Sequence, residues 1–272
     1  MDVQGKTIVI TGGATGLGFA LAKRLGAEGA RILLCEPREE RLQQACEALG
    51  EAGVDAKYLV GDVTKAEDMT ALADFAWGEN GRADMFIANA GVGGGRQFAF
   101  DMDMAEARAL FEVNFWGVWS GISEFGKRMV ADGQPGAVYA VASENALFNA
   151  IPMTGSAYVA SKHAVLGLME VMRRDAPENI TTGVIMPGWV QSELTDWAQD
   201  LAMPADQFAD IIVPQLLAGE FYCVSHAYNV ERMRERWDAV YAAFDRYAPR
   251  YDGDAEYDVQ LAFAKMQAKD GE

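Results

Sequence analysis

Cysteine and histidine are scarce in this chain of 272 residues. The three cysteines, Cys35, Cys46 and Cys223, form no CxxC pair, and the two histidines, His163 and His226, show no ligand spacing. An odd set of thiols without such spacing argues against a disulfide framework and against a zinc site, and it is typical of a reducing compartment. We therefore expect no bound metal and a cytoplasmic location.

Basic residues and long apolar runs are also in short supply. Lysine and arginine number 23 against 40 aspartate and glutamate, a formal net charge of −17, which repels nucleic-acid phosphates and anionic membrane surfaces. No run reaches the roughly eighteen apolar residues of a membrane span, and the first residues lack the basic and apolar regions of a secretory signal. We expect neither nucleic acid nor membrane as a partner, although the acid excess also has the simpler effect of keeping a protein in solution.

Apolar segments of strand length alternate with helical patterns, and no proline-, glycine- or serine-rich linker and no internal repeat divides them. The strand candidates are residues 7–11, 31–35, 56–60, 84–88, 137–142, 180–185 and 221–225. The helical patterns include residues 17–28, 38–49, 105–130, 157–174 and 230–247. Such alternation predicts βαβ units and a buried parallel sheet. We predict an α/β fold, a doubly wound parallel sheet flanked by helices, over residues 1–225, with a helical C-terminal extension over 226–272 that belongs to the same domain.

A glycine-rich turn, TGGATGLG, separates the first strand from the first helix. A helix N-terminus offers unpaired N–H groups and a positive dipole end to a phosphate, and glycines let the backbone approach it closely. Three residues separate Gly12 from Gly16, whereas one residue separates the first two glycines of the common GxGxxG pattern. The prediction of a nucleotide site therefore rests on the position of the turn between a strand and a helix. The residues predicted to hold the pyrophosphate of a dinucleotide are Gly12, Thr15, Gly16, Leu17 and Gly18.

Glu36 stands at the end of the second strand, where an acidic residue holds the adenosine ribose hydroxyls of NAD. Its carboxylate would repel the additional phosphate of NADP. Arg38 favours NADP instead, since a nearby arginine can accommodate that phosphate. The alternative is that Arg38 only faces solvent at the start of a helix. We expect NAD(H) as the cofactor, with NADP(H) as the alternative.

Tyr158 and Lys162 lie four residues apart on a helical pattern and therefore share one helix face. An ammonium group beside a phenol favours the ionised phenol, so the pair is a candidate proton donor and acceptor near neutral pH.

Taken in order, the motifs of this chain resemble those of the short-chain dehydrogenase/reductase family, and the resemblance covers about residues 3–195. They are the glycine-rich turn over residues 11–18, Asp62-Val63, Asn89-Ala90-Gly91, Asn114 with Gly117, Ser143, Tyr158 with Lys162, and Pro187-Gly188. The resemblance implies a Rossmann-like fold and hydride transfer between a nicotinamide cofactor and a secondary alcohol or its ketone.

By the same resemblance, Tyr158 is the general acid/base and Ser143 orients the substrate oxygen. Lys162 would lower the pKa of the tyrosine and bind the nicotinamide ribose, and Asn114 would hold a proton-relay water or bridge two helices through its amide. The remaining residues implied in cofactor binding are Asp62 and Val63 at the adenine, Asn89 and Gly91 in the groove, Pro187 and Gly188, and Val190 and Ser192 at the carboxamide.

Three features depart from the family pattern. Ser143 and Tyr158 are fifteen positions apart, which indicates a small insertion between them. Glu144 directly follows Ser143 and either enters the pocket or is a solvated carboxylate. Thr15 occupies a position that is often basic in NADP-preferring members, which favours NAD.

Three loops are expected to contact the substrate: residues 93–98, residues 146–155 and the loop after Gly188. The third loop carries apolar side chains that either cover a bulky, uncharged alcohol or pack the loop onto the domain. They are Trp189, Leu194, Trp197, Leu201 and Met203. Two other functions remain open: a non-catalytic NAD-binding regulator, and a lyase or isomerase that uses the cofactor without net turnover.

The long helical patterns predict a homo-oligomer, most simply a tetramer. Residues 105–130 and 157–174 carry more apolar side chains than one buried stripe requires, and surplus apolar helix surface favours a symmetric helix-on-helix interface. Light scattering of the purified chain should give a multiple of 29.5 kDa. A monomer that keeps full activity on dilution would contradict this prediction.

Overall fold

The computed structural model describes residues 1–95, 98–149 and 155–270. Its contacts divide the chain into two compact units, Met1–Asn229 and Val230–Glu272. The first unit contains the sheet and every functional residue predicted above. The assignment of the C-terminal extension to the same domain stays a prediction.

The first unit is built on a seven-stranded sheet in which all neighbours are parallel. The strands are β1 (Thr7–Thr11), β2 (Arg31–Glu36), β3 (Ala56–Val60), β4 (Met85–Ala88), β5 (Gly136–Val141), β6 (Ile180–Met186) and β7 (Tyr222–Val224). Their order across the sheet is β3-β2-β1-β4-β5-β6-β7. The order reverses between β1 and β4, and ligands of such sheets bind at the carboxyl ends of the strands next to that reversal.

Helices cover both faces of this sheet. They are α1 (Gly16–Ala27), α2 (Glu39–Glu51), α3 (Ala66–Asn80), α4 (Met104–Phe111), α5 (Val118–Asp132), α6 (Ser156–Asp175) and α7 (Ala205–Ala218). One apolar core joins the sheet to α1, α2 and α7, and a second core joins the opposite face to α3, α5 and α6. The predicted fold class is therefore confirmed.

The pattern over residues 105–130 was interpreted as one helix, and that interpretation is wrong in one respect. A π-helical segment, Glu112–Gly117, separates α4 from α5. The extra residue of a π turn shifts the helical register by about 100°, but apolar side chains cover more than one face of this stretch, so the 3.6-residue apolar repeat does not reveal the shift. Asn114 lies in the middle of this segment.

The helices behind the predicted oligomer interface carry exposed aromatic side chains. Trp116 and Trp119 are 50% and 42% exposed, and their rings stack with centroids 5.8 Å apart. Val130 and Val171 are also about half exposed. These residues form the surplus apolar surface that the sequence predicted, and the oligomer itself stays a prediction.

The second unit begins at Val230, one residue inside helix α8 (Asn229–Tyr247). A short 3-10 turn (Asp254–Tyr257) and helix α9 (Val259–Asp270) follow α8. Every residue of α8 retains at least partial exposure. Across the described ranges of both units, no helix combines the length and apolar character that a bilayer crossing requires.

Phe125 is the residue whose loss should most directly test the second core. Its ring stacks on Phe86 at 4.2 Å, and both side chains are fully buried. We expect Phe125→Ala to lower the free energy of unfolding by about 3–5 kcal/mol, because it removes a large side chain from a site that closes only partly. Urea unfolding followed by circular dichroism measures the change.

The matched control is Phe100→Ala, since Phe100 is fully exposed. This variant should stay within about 0.5 kcal/mol of the wild type. Equal losses in the two variants would contradict the assignment of Phe125 to the core.

Candidate active site

A cavity of about 760 Å³ opens at the carboxyl ends of the strands, beside the reversal of strand order. Fifteen of the predicted site residues line it. They are Gly12, Thr15, Gly16, Leu17, Glu36, Arg38, Asn89, Gly91, Ser143, Tyr158, Lys162, Pro187, Gly188, Val190 and Ser192. The fold thus brings the predicted nucleotide residues and the predicted chemical residues into one continuous cavity.

The glycine turn is held against the end of β4 by a side-chain amide. Asn89 Nδ2 donates hydrogen bonds to the carbonyl oxygens of Thr11 and Gly12, at 2.9 and 2.8 Å. Gly18 lies behind the turn, where an added Cβ would come within 2.5 Å of Asn89 Nδ2 and 2.4 Å of Gly12 O. Gly18 therefore allows the close packing of the turn, and it does not itself face the cavity.

Gly12 and Gly16 adopt left-handed φ angles of 61° and 53°. A side chain at Gly16 would also approach Ser192 Cβ to 3.0 Å, so the loop after β6 lies directly against the turn. Backbone without side chains at this position can approach a pyrophosphate at the N-terminus of α1. The cradle fits the predicted dinucleotide.

Asp62 and Val63 were predicted to contact adenine, and the structure places both outside the cavity wall. The Asp62 carboxylate accepts hydrogen bonds from the backbone N–H and the hydroxyl of Thr64, and the N–H bond of Thr64 lowers the pKa of that carboxyl. Val63 packs against Gly117, where an added Cβ would lie 2.6 Å from the valine side chain. In the structure, the contacts of Asp62 and Val63 stabilise the turn after β3. A contact of these two residues with adenine stays a prediction.

Glu36 is 5% exposed and forms a two-point ion pair with Arg38, at 2.8 and 3.2 Å. The remaining Arg38 nitrogen donates to Glu193 on the loop after β6, at 2.9 Å. Arg38 is therefore flanked by two carboxylates at the adenosine end of the cavity. The sequence reasoning missed Glu193, since nothing in the local pattern relates it to a residue 155 positions earlier.

Ser143 and Tyr158 come together at the other end of the cavity. Ser143 follows β5 and is 5% exposed, and its hydroxyl accepts a hydrogen bond from Asn145 N at 3.2 Å. Burial raises the pKa of Tyr158, the negative charge of Glu144 adds to that increase, and a hydrogen bond with Ser143 opposes it. The two hydroxyls can therefore reach one substrate oxygen.

Lys162 lies one helical turn beyond Tyr158, as predicted, with its Nζ atom 5.7 Å from the centre of the tyrosine ring. Nζ donates a hydrogen bond to Val141 O at 2.8 Å, and burial lowers the pKa of the lysine to about 8. Burial is the largest cause of the raised pKa of Tyr158, and the expectation that Lys162 lowers that pKa stays a prediction.

The Asn114 side chain is fully buried and engaged at both ends of its amide. Its Oδ1 accepts from Val92 N at 2.8 Å, and its Nδ2 donates to Val92 O at 2.9 Å and to Ser161 Oγ at 3.3 Å. Gly91 lies between this amide and the cavity. A Cβ added to Gly91 would lie 3.3 Å from Asn114 Oδ1 and 3.5 Å from Lys162 Nζ. The amide thus joins the loop after β4 to α6, and the water-relay role stays a prediction.

The apolar side chains of the loop after Gly188 divide between the cavity wall and the core, and a contact with substrate stays a prediction. Trp189, Leu194 and Trp197 line the cavity, and the two tryptophan rings lie 5.0 Å apart. Met203 instead packs against the first core, and Leu201 is 76% exposed and away from the cavity wall. Residues 96–97 and 150–154, which belong to the other two predicted substrate loops, lie outside the described residues.

The described part of the chain contains no arrangement of side chains suited to bind a metal ion. Within residues 1–95, 98–149 and 155–270, no group of three or more His, Cys, Asp or Glu side chains is arranged to hold an ion. The reactive groups of the cavity are the hydroxyls, the ammonium and the carboxylates described above.

Comparison with known proteins identifies the family. The family model described as short chain dehydrogenase matches residues 6–201. The 1-deoxy-11-beta-hydroxypentalenate dehydrogenase of Streptomyces avermitilis is 30% identical over 250 residues, which cover 89% of this chain and 92% of the relative.

Two solved structures show the same fold. A short chain dehydrogenase/reductase from Burkholderia phymatum in complex with NAD superposes with a TM-score of 0.84 at 24% identity, over 89% of this chain and 96% of that one. An alcohol dehydrogenase from the archaeon Thermococcus sibiricus, complexed with 5-hydroxy-NADP, gives 0.73 at 26% identity, over 81% and 95%. With a family model that matches most of its length and a curated relative aligned over nearly all of it, the chain belongs to the short-chain dehydrogenase/reductase family.

Proposed function

We propose that this protein is a nicotinamide-dependent alcohol dehydrogenase or ketone reductase that acts on a secondary alcohol or its ketone. The observation that carries the proposal is that Ser143, Tyr158 and Lys162 line the same cavity as the glycine turn at the N-terminus of α1. The relative from Streptomyces avermitilis is named as the dehydrogenase of a hydroxyl-bearing compound, which supports the same reaction class.

The cofactor would supply the hydride acceptor or donor. The protein's own groups would handle the proton: Tyr158 takes it from the alcohol during oxidation and gives it to the ketone oxygen during reduction. Ser143 would donate a hydrogen bond to the same oxygen as negative charge develops on it. Because the pKa of Lys162 is about 8, its ammonium form prevails at neutral pH and can stabilise the phenolate that oxidation requires.

The apolar part of the cavity favours an uncharged substrate. Trp189, Leu194 and Trp197 line the cavity, so an apolar skeleton that contacts them would lose water-exposed surface on binding. Formation of NADH, followed by its absorbance over a panel of secondary alcohols, tests the proposed reaction. Stoichiometric formation supports it; binding of NAD without turnover would favour the regulator, and conversion without net NADH would favour the lyase or isomerase.

Tyr158→Phe should separate chemistry from binding. The hydroxyl transfers the proton but contributes little to holding the dinucleotide, so kcat should fall by about a hundredfold or more. NADH fluorescence titration should show nearly unchanged cofactor affinity.

Tyr139→Phe is the matched control, because the Tyr139 hydroxyl donates to Leu216 O in the core, away from the cavity. This variant should cost about 1 kcal/mol of stability and leave kcat unchanged. A Tyr158→Phe enzyme that retains more than about a tenth of wild-type kcat would rule out the proton-transfer role.

NAD(H) is the cofactor that the adenosine end fits better. Glu36 and Glu193 flank Arg38 there, so the phosphate of NADP would approach two carboxylates and would have to displace Arg38 from its partners. A ribose with two hydroxyls can instead donate hydrogen bonds to Glu36.

Glu36→Ser should narrow the preference for NAD over NADP, since it removes one negative charge and releases two of the Arg38 hydrogen bonds for a phosphate. The measurement is the ratio of kcat/KM for the two cofactors. Glu39→Ser, an exposed change on α2 outside the cavity, should leave the ratio unchanged. A wild-type enzyme that prefers NADPH would overturn the assignment.

A further inference from the structure

Glu144 is a carboxyl group in the cavity wall that the proposed reaction does not use. It follows Ser143 in the 3-10 turn Glu144–Ala146 and lines the cavity. Its Oε2 atom is closed to solvent and has no hydrogen-bond partner among residues 1–95, 98–149 and 155–270. A buried carboxyl oxygen without a partner is costly, so it calls for an explanation beyond packing.

Two neighbours define where this carboxyl lies. The backbone N–H of Glu144 donates to Pro187 O at 3.0 Å, which joins the ends of β5 and β6. A Cβ added to Gly188 would lie 2.5 Å from Glu144 Oε2 and 2.4 Å from His226 Cγ. The carboxyl and the imidazole therefore pack tightly against Gly188, and any side chain at that position would collide with both.

The groups that face Glu144 do not neutralise it. His226 Nδ1 is occupied by the Ser225 hydroxyl at 2.8 Å and Nε2 by Trp189 O at 3.3 Å, and burial lowers the pKa of the imidazole. Tyr158 is an acid whose pKa is itself raised, in part by the charge of Glu144. Burial raises the pKa of Glu144 to about 7, so the acid and the carboxylate are both present at neutral pH.

A neutral hydroxyl suits such a group better than a charged one. It donates a hydrogen bond to the carboxylate and accepts one from the acid, so both protonation states of Glu144 bind it. An ammonium would pair only with the carboxylate, and a second carboxylate only with the acid. The apolar residues of the cavity lining, Trp189, Leu194 and Trp197, favour an uncharged remainder of the substrate.

We propose that Glu144 determines substrate specificity by hydrogen-bonding a second hydroxyl of the substrate, on a carbon beside the one that reacts. This inference rests on the proposed function, because Ser143 and Tyr158 must hold the reacting oxygen. Glu144 directly follows Ser143, and its charge acts on Tyr158, so a hydroxyl bound by Glu144 would lie close to the reacting oxygen. Only the reacting carbinol is oxidised: its hydride goes to the nicotinamide, its proton goes to Tyr158, and the second hydroxyl is unchanged.

Matched pairs of alcohols test the inference. Each pair is a secondary alcohol and its vicinal diol, such as cyclohexanol with its diol and a phenyl-substituted alcohol with its diol, assayed by NADH formation. The wild type should show kcat/KM about tenfold or more higher for the diol of at least one pair. Glu144→Met, of similar length but without a hydrogen-bonding group, should abolish that preference; the readout is the ratio of kcat/KM for the diol to kcat/KM for its parent alcohol, because loss of the Glu144 charge also acts on Tyr158 and affects both substrates alike.

Glu144→Gln should keep most of the preference, because its amide oxygen accepts the same hydrogen bond, and Glu47→Gln on the exposed face of α2 is the control for charge alone. Equal losses on diol and parent alcohol in Glu144→Met would mean a structural role and would overturn the inference. A wild-type enzyme that prefers none of the diols would also overturn the inference. That measurement does not depend on whether a variant folds. If the wild type oxidises no alcohol at all, the proposed function fails, whereas turnover of parent alcohols without diol preference removes only this inference.

Discussion

The site depends on the close approach between the glycine turn and the end of β4. Asn89 donates to two carbonyl oxygens of that turn, at Thr11 and Gly12, and any side chain at Gly18 would collide with the contact. The N-terminus of α1, and with it the phosphate cradle, is thereby placed at the reversal of strand order. Because β4 continues into the loop that holds Gly91, the same contact sets the distance between the cradle and the residues around Lys162.

Electrostatics divide the cavity into two halves. At the Arg38 end, Arg38 forms ion pairs with Glu36 and Glu193, an arrangement that suits a polar ribose. At the Tyr158 end, burial raises the pKa values of the phenol and of the Glu144 carboxyl and lowers the pKa of the Lys162 ammonium, so each group is shifted toward its neutral form. The pKa values of Glu144, about 7, and of Lys162, about 8, bring these two groups close to neutral pH.

The π-helical segment links the loop after β4 to helix α6. It directs Asn114 inward, where the amide holds the backbone of Val92 on one side and Ser161 of α6 on the other. Helix α6 carries Tyr158 and Lys162, so the segment sets their position relative to the cofactor groove. A regular helix would rotate the residues beyond the insertion by about 100° relative to this arrangement, which explains why such irregular turns are found at functional sites.

The sequence alone determined the parallel sheet, its flanking helices and fifteen of the residues that line the cavity, because these follow from local apolar periodicity and from short motifs on neighbouring elements. It could not determine relations between side chains that are distant in the chain. Glu193 reaches Arg38 only because the loop after β6 folds over the end of β2, and the same loop divides into Trp189, Leu194 and Trp197 at the cavity and Met203 at the core. The π segment was hidden because apolar side chains cover more than one face of this stretch, so the shift in helical register left no clear mark on the apolar pattern. Whether Glu144 is solvated or faces the pocket was open in the sequence, and the tertiary structure decided it, since burial depends on how Gly188 and His226 pack against that carboxyl.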